Sequence, residues 1–274
     1  MPHMPDSSRK LSRDKPSGTQ SVERAAMLLR IIASHNRAGL RVVDLCALTE
    51  LRRPTVHRLL QCLMRESLVA RNSRTRNYHL GALLYELGIT ASPAVKLEDL
   101  CHPFIAKLAE ITGDMVFLTL RSGYDAVCID MQEGAFLTRT HMEIGRRRPL
   151  GIGAGSLAIL GAVSRDDAKD VLAYNKTRWG AFNGLTAQKM LKQLKKTRER
   201  GFAVHDGSVS GARAIGVALM DASGLPFAGL SVYAATSRMQ ESRWPELIRI
   251  LRQHATIIEG AIKKSGNKTR GAAG

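Results

Sequence analysis

No uncharged run in this 274-residue sequence exceeds sixteen residues, and the one from Pro149 to Ser164 contains four glycines. A helix that spans a bilayer needs about 20 mostly apolar residues, so no membrane-spanning helix is expected. Cysteine is sparse. Cys46, Cys62, Cys101 and Cys128 show no Cys-x-x-Cys spacing and no clustered histidines. That excludes a disulfide framework or a thiolate–imidazole metal site, and reads the four as small buried hydrophobes in a reducing compartment. The first residues are polar and basic without an apolar centre, so no signal peptide is expected. The expected location is the cytoplasm, with no cofactor and no metal.

Acid is also scarce: 24 Asp and Glu stand against 41 Lys and Arg, a net charge of +17. The excess is uneven. Residues 21–81 hold eleven basic and four acidic side chains, and the last twelve residues hold four basic and none acidic. Residues 82–262 are close to balanced by comparison. A positive charge concentrated at one end implies a polyanionic partner for that end. The apolar fraction of 44% is ordinary for a globular protein and supplies a core.

Within the basic region, Val56, Leu59, Leu60, Leu63 and Met64 fall at i, i+3, i+4, i+7 and i+8, the stripe of a half-buried helix. At 100° per residue Arg58, Gln61 and Arg65 point away from that stripe, with Thr55 and His57 on its flanks. Pro54 suits the first turn, where its missing N–H costs nothing. Taken alone, such a helix is most simply a solvated face. Its neighbours change the reading. A preceding helix carries Val42, Leu45 and Leu48 inward. After it, 68–71 and 76–80 alternate as strands around an Asn72-Ser73-Arg74-Thr75 turn, a hairpin bearing Arg71, Arg74 and Arg76. Two helices and a basic hairpin in this order predict a winged helix-turn-helix over 21–81. Its candidate DNA contacts are Arg52, Arg53, Thr55, His57, Arg58, Gln61, Arg65, Arg71, Arg74 and Arg76. Guanidinium and amide groups read base edges, and further arginines and hydroxyls hold phosphates.

Around this unit the sequence divides simply. Residues 1–20, rich in Ser, Pro, Lys and Arg, read as a disordered basic tail. Ser21 can cap a helix from Val22 to about His35, with Ala25, Leu28, Leu29 and Ile32 on one face. Residues 82–96 read as a linker helix with Leu83, Leu84 and Leu87 apolar, either a lever or a plain connection. Over 97–262 a helix to Ile111 leads to strands at Met115–Arg121, Ala126–Met131 and Phe136–Glu143. Helices follow at Asp166–Tyr174 and Thr186–Arg200, the latter with Met190, Leu191 and Leu194 inward and a solvated basic outer face. Strands at Phe202–Val204, Ala214–Met220 and Phe227–Tyr233 precede a closing helix from Glu241 to Ile262. Residues 263–274 read as a disordered basic tail.

Two stretches of the second region invite chemistry. Arg146-Arg147-Arg148 is its sharpest charge run, either a solvated loop or a second contact with acid. Gly151-Ile152-Gly153-Ala154-Gly155-Ser156 leads into an apolar helix from Leu157 to Val163. A dinucleotide fingerprint fails there, because residue 156 is Ser and no strand-plus-acid unit follows. Two readings stay open: an anion site at free backbone N–H groups on the positive end of a helix, or a glycine loop kept for close packing.

Ser21-Val22-Glu23-Arg24-Ala25, Thr55-Val56-His57-Arg58-Leu59-Leu60-Gln61 and Tyr78-His79-Leu80-Gly81 carry a resemblance that continues through the second region. It runs on in Leu108-Ala109-Glu110-Ile111-Thr112-Gly113, Ile144-Gly145-x-Arg147-x-Pro149-Leu150 and Arg198-x-x-Gly201-Phe202. In this order and spacing they resemble the isocitrate-lyase-regulator (IclR) family of bacterial transcription factors over residues 20 to 262. Three departures stand beside the likeness. Glu50 occupies a usual turn glycine, Gly155-Ser156-Leu157 replaces Gly-Lys-Ala, and an acidic pair is reduced to Asp206-Gly207-Ser208.

The resemblance implies an α+β chain. It has an N-terminal winged helix-turn-helix, a linker helix and a C-terminal α/β, GAF-like effector-binding domain. It also implies that small organic acids bind beside the helix after the glycine loop, in a pocket lined by Ile152, Gly153, Ala154, Asp206, Ala214, Ser231 and Tyr233. The implied partners are a palindromic double-stranded DNA operator, a small aliphatic or aromatic carboxylate, and a second copy of the chain in a dimer or tetramer.

Two other functions compete. A nucleoid-type protein would bind DNA without sequence preference, and the charge permits it, but a balanced second domain would then serve no purpose. An enzyme fused to a DNA anchor could use His205, Asp206 and Ser208. However, adjacent strand residues face opposite ways and no Gly-x-Ser-x-Gly elbow is present.

Overall fold

A computed structural model describes residues 19–36, 38–91, 97–136, 138–206 and 211–271. They divide into two compact units that meet in the chain between Ser92 and Pro93. Most of the expected N-terminal tail, and the expected end of the linker helix at 92–96, lie outside the described residues.

The first unit contains α1 (Gln20–Ala33), α2 (Val42–Thr49), α3 (Arg53–Arg65), β1 (Val69–Arg71), β2 (Tyr78–Leu80) and α4 (Ala82–Ala91). Leu28 and Ile32 of α1, Leu45 of α2, and Val56, Leu60 and Leu63 of α3 close one core with Val69 and Tyr78. The α3 stripe therefore packs as its spacing predicts. The expectation for α2 is off by one position, since Leu48 is 52% exposed. An eight-residue helix buries a narrow strip, here Val42, Leu45, Cys46 and Thr49 at i, i+3, i+4 and i+7, and Leu48 lies beyond it. On α4, Leu83 and Leu84 are half-buried and Leu87 is exposed. Cys62 is exposed and Cys46 half-buried, so only Cys101 and Cys128 are the buried hydrophobes expected of all four.

Polar side chains set the turns. Asp44 accepts from the Arg41 N–H (2.9 Å) at the start of α2. Glu50 has φ +56 in the turn before α3, the left-handed conformation that a glycine would adopt at least cost. The side-chain oxygen of Asn72 accepts from the N–H groups of Arg74 and Thr75, folding the hairpin tip, and Asn36 Oδ1 accepts from Leu80 N–H. Leu40 bridges Tyr78, adding a third backbone segment to the two-stranded wing.

The second unit is an antiparallel six-stranded sheet of order β5-β4-β3-β8-β7-β6. Its strands are β3 (Met115–Ser122), β4 (Asp125–Gln132), β5 (Arg147–Pro149), β6 (Ala203–Asp206), β7 (Ala212–Met220) and β8 (Pro226–Ala235). Its helices are α5 (Leu97–Thr112), α6 (Ala154–Ala162), α7 (Arg165–Asn175), α8 (Ala187–Arg200) and α9 (Trp244–Gly271). One face of the sheet packs on α5 and α9 through Ile105, Leu108, Val116, Leu118, Val232 and Leu251. The other face packs on α6, backed by α8, through Phe117, Leu157, Leu160, Met190 and Leu194. The buried Trp179 supports this layer, and its indole N–H donates to the Leu150 carbonyl.

Four expectations change here. Phe136–Glu143 forms no strand among its described residues, because the free edge of β4 is taken by residues 145–149 instead. Leu191 is 51% exposed, since α8 buries the Met190, Leu194, Thr197 row one residue round. The closing helix runs on to Gly271, through most of the stretch read as a disordered tail. Finally, Arg146–Arg148 is no solvated loop. Arg147 bonds Ser122 and pairs with Asp125 (3.4 Å), while Arg148 is buried.

Two glycines in the sheet let α6 lie directly on the strands. A Cβ at Gly216 would stand 2.6 Å from the Ala154 carbonyl carbon, and one at Gly229 would stand 2.3 Å from the Gly155 oxygen. Only a bare backbone at those positions permits so close an approach.

Candidate functional site

The basic residues expected at the DNA fall into two groups, one at α3 and one on the wing. On α3 the exposed polar side chains are Arg53, His57, Arg58, Gln61 and Arg65, with Arg52 just before the helix and Thr55 half-buried beside the stripe. Arg71, Arg74 and Arg76 are exposed on the wing. Their ion-pairing within the chain is slight. Arg65 meets Glu66 at 3.9 Å with both side chains solvated, an arrangement that contributes little. Arg71 lies over the Tyr78 ring at 5.4 Å. Among the described residues Arg52, Arg53, Arg58, Arg74 and Arg76 meet no carboxylate. Exposed guanidinium groups without internal acids, on a helix that follows a tight turn and on an adjacent hairpin, match the chemistry of phosphate and base-edge contact.

The second unit has a cavity of about 50 Å³ between the N-terminus of α6 and the sheet. Strand register builds its floor. His205, Ala214 and Tyr233 are cross-strand partners in one row, and Ser231 pairs with Phe117 in the next. Residues two apart on a strand share a face, so Phe117 with Thr119, and Ser231 with Tyr233, point the same way. Of the seven residues expected here, Ile152, Gly153, Ala154, Ala214, Ser231 and Tyr233 line the cavity. Asp206 does not. It follows His205 on β6, where side chains alternate, and its exposed carboxylate accepts from Arg213 Nε at 2.8 Å while the residue borders an adjoining pocket with His205 and Ile152. His205 takes its place in the lining. This alternation also separates two members of the supposed His205–Asp206–Ser208 triad, and Ser208 lies outside the described residues.

The cavity has three polar features. The first turn of α6 begins at Gly153 with no side-chain cap, and the N–H groups of that turn have no intrahelical acceptor. Ser156 Oγ accepts from the Gly151 N–H at 2.8 Å, tying the loop to the helix. Arg148 on β5 projects into the cavity, only 9% exposed, with its Nε lacking any hydrogen-bond partner among the described residues and its guanidinium 5.9 Å from the Phe182 ring. Burial lowers the guanidinium pKa from its ordinary value, and the nearby Arg146 adds to the effect. Burial pushes His205 down to about 4, against the opposing pull of Asp206, so at neutral pH it is an uncharged imidazole. Burial raises the Tyr233 phenol, whose hydroxyl donates to the Arg139 carbonyl at 2.9 Å. No carboxylate lines the cavity among the described residues.

Sequence reasoning missed Arg148, His205, Phe117, Thr119 and the Thr140–Met142 segment. For the strand residues a signal existed, because alternation from Ser231 and Tyr233 through the register leads to Phe117 and to His205. For Arg148 the signal was alternation within the arginine run itself, where Arg147 and Arg148 must face opposite ways. Thr140–Met142 has no regular period to read.

The comparisons with known proteins agree with this geometry. The profile described as the IclR helix-turn-helix domain matches residues 21–73, and that of the bacterial transcriptional regulator IclR C-terminal domain matches 91–259. The HTH-type transcriptional regulator XynR of Escherichia coli is 25% identical over 247 residues, which cover 89% of this chain and 97% of XynR. Among solved structures, an IclR transcriptional regulator from Alicyclobacillus acidocaldarius superposes with a TM-score of 0.68 at 22% identity, covering 88% of this chain and 98% of that one. An IclR homologue from Microbacterium hydrocarbonoxydans, solved with 4-hydroxybenzoate, has a TM-score of 0.68 at 18% identity and covers 89% and 100%. No helix among the described residues is long and apolar enough to cross a membrane. The chain belongs to the IclR family, helix-turn-helix transcriptional regulators with a C-terminal effector-binding domain, and is not an enzyme.

Proposed function

We propose that the chain is a ligand-responsive regulator that acts in the cytoplasm. It binds a palindromic operator as a homodimer or a pair of dimers and answers to a small organic acid held against α6. The observation that carries the acid is the uncapped N-terminus of α6 in one cavity with the buried Arg148, whose Nε has no partner, and with no lining carboxylate, among the described residues. Backbone N–H groups and the positive end of a helix favour an anion. The Microbacterium relative holds a carboxylate, 4-hydroxybenzoate, which supports the same ligand class here. The small cavity favours a short acid. Tyr233 adds bulk while its hydroxyl is already engaged, so an aromatic ligand suits this chain less well than the residue type alone implies.

At the DNA, one α3 per half-site would enter a major groove, with Arg58 and Gln61 at base edges and Arg53, Thr55, Arg74 and Arg76 at phosphates. These roles separate by mutation. A bidentate base contact discriminates by about 1–3 kcal/mol, whereas a phosphate contact adds salt-dependent affinity to every sequence alike. Arg58→Ala is therefore expected to weaken operator binding roughly 5- to 150-fold while leaving random DNA nearly unchanged. Arg74→Ala is expected to weaken both alike and reduce the salt dependence by about one phosphate contact. Fluorescence-anisotropy titrations on both DNAs at several salt concentrations measure this. Identical losses on both DNAs for both variants would overturn the assignment.

A further inference from the structure

The anion chemistry of the effector cavity has two separate origins. One is the first turn of α6, whose backbone N–H groups are uncapped. The other is the Arg148 side chain, which comes from β5 on the far side of the turn at Leu150–Gly153. Arg147, next to it, pairs with Asp125, which also meets Arg178. Arg148 has no such partner among the described residues, and the acid that sequence reasoning placed in the cavity, Asp206, is bound to Arg213 outside it. A buried guanidinium left unpaired is costly, and its planar fork suits a carboxylate taken in bidentate fashion. A monocarboxylate seated at α6 would leave that fork empty. Thr119, Thr140 and Ser231 line the same cavity and supply hydroxyls. The room is short. Phe117 and Tyr233 meet edge to face at 6.0 Å and fill the floor.

We propose that Arg148 is the specificity-determining residue of this cavity and that its ligand is a short aliphatic acid with two carboxylates, one held at the N-terminus of α6 and the other by the Arg148 guanidinium. This rests on the reading of the cavity as the effector site.

The test is isothermal titration of the full chain at neutral pH with two chain-length-matched pairs, malonate against propionate and succinate against butyrate. In the wild type at least one diacid is expected to bind tenfold or more tightly than its matched monoacid. In Arg148→Met the diacid should fall to the level of the monoacid, while monoacid binding stays within about threefold. Without ligand, Arg148→Met should melt at or above the wild-type temperature, because an apolar side chain of similar volume then replaces an unpaired buried cation. Arg148→Gln provides the same comparison should the methionine variant not fold.

Diacid and monoacid affinities within threefold of each other in the wild type would overturn the proposal. So would a diacid preference that survives in Arg148→Met, or a fall of several degrees in the melting temperature of both variants, which would make Arg148 a structural cation. Monoacid binding without diacid preference removes the proposal alone, whereas no binding of any acid removes the effector reading with it.

Discussion

Gly229→Ala is expected to abolish measurable effector binding and to lower the melting temperature, although it adds a single methyl group. The added Cβ would lie 2.3 Å from the Gly155 carbonyl oxygen and 2.6 Å from its carbon. Both are backbone atoms in the first turn of α6, so no side-chain rotation relieves the clash. Either β8 or the start of α6 must move. Overpacking a well-filled core costs about 1–3 kcal/mol, and a clash against backbone belongs at the upper end. For a unit of this size that is roughly 2–12 °C in melting temperature. The functional loss should be larger than the stability loss, because Ala154, Gly155 and Ser156 form the cavity wall at that point. Gly180→Ala is the control, since a Cβ there meets nothing within 4 Å, and it should be nearly neutral. Calorimetric melting with isothermal titration measures both. Wild-type binding and melting in Gly229→Ala would mean that α6 is not held by this contact.

Asp114→Ala should cause a loss of stability at least as large. Asp114 is fully buried and accepts from Arg238 Nε at 2.8 Å and from Arg243 Nη1 at 2.6 Å. The two arginines also bond the Thr112 carbonyl, and Arg238 stacks on Phe136 at 3.5 Å. One carboxylate thus ties the α5–β3 junction to the segment between β8 and α9. Removing one partner of a buried pair costs about 3–5 kcal/mol. The arginine side chains are 31% and 24% exposed, so water can recover part of that and the lower end applies. About 3 kcal/mol corresponds to roughly 6–12 °C in melting temperature for a unit of this size. Asp114→Asn, which keeps the shape and loses the charge, should fall between wild type and alanine. Melting within 2 °C of wild type for Asp114→Ala would show that the pairs contribute nothing net.

What could be read from the sequence follows from which forces act along it. The α3 stripe repeats over more than two turns of a 13-residue helix, so its buried and exposed faces could be assigned from spacing alone. Leu48 and Leu191 could not, because on a short or narrow helical face the choice between adjacent apolar residues depends on what packs opposite. Alternation separates Arg147 from Arg148 only once the run is a strand, and that depends on β5 pairing with β4, a contact between segments about twenty residues apart. The exchange of Asp206 for His205 has the same origin, since a strand offers alternate residues to each face and register decides which. Gly216 and Gly229 are plain strand glycines until α6 is laid on them. Glu50 was legible as a departure from a turn glycine, and its positive φ shows that the backbone keeps the glycine conformation without the glycine.

If the chain is a ligand-responsive regulator, acid binding in the second unit and DNA binding in the first are energetically linked. Linkage requires that a ligand change DNA affinity only as far as its own affinity differs between free and DNA-bound protein, typically about 5- to 150-fold. The most direct measurement is a fluorescence-anisotropy titration of the full chain on DNA upstream of its own gene and on random DNA of equal length. Each is run with and without the short acids, for wild type and Arg148→Met. The expected result is operator-selective binding that one acid shifts at least fivefold in the wild type and not in Arg148→Met. Equal binding to both DNAs, unmoved by any acid, would contradict it and leave a sequence-nonspecific DNA-binding protein.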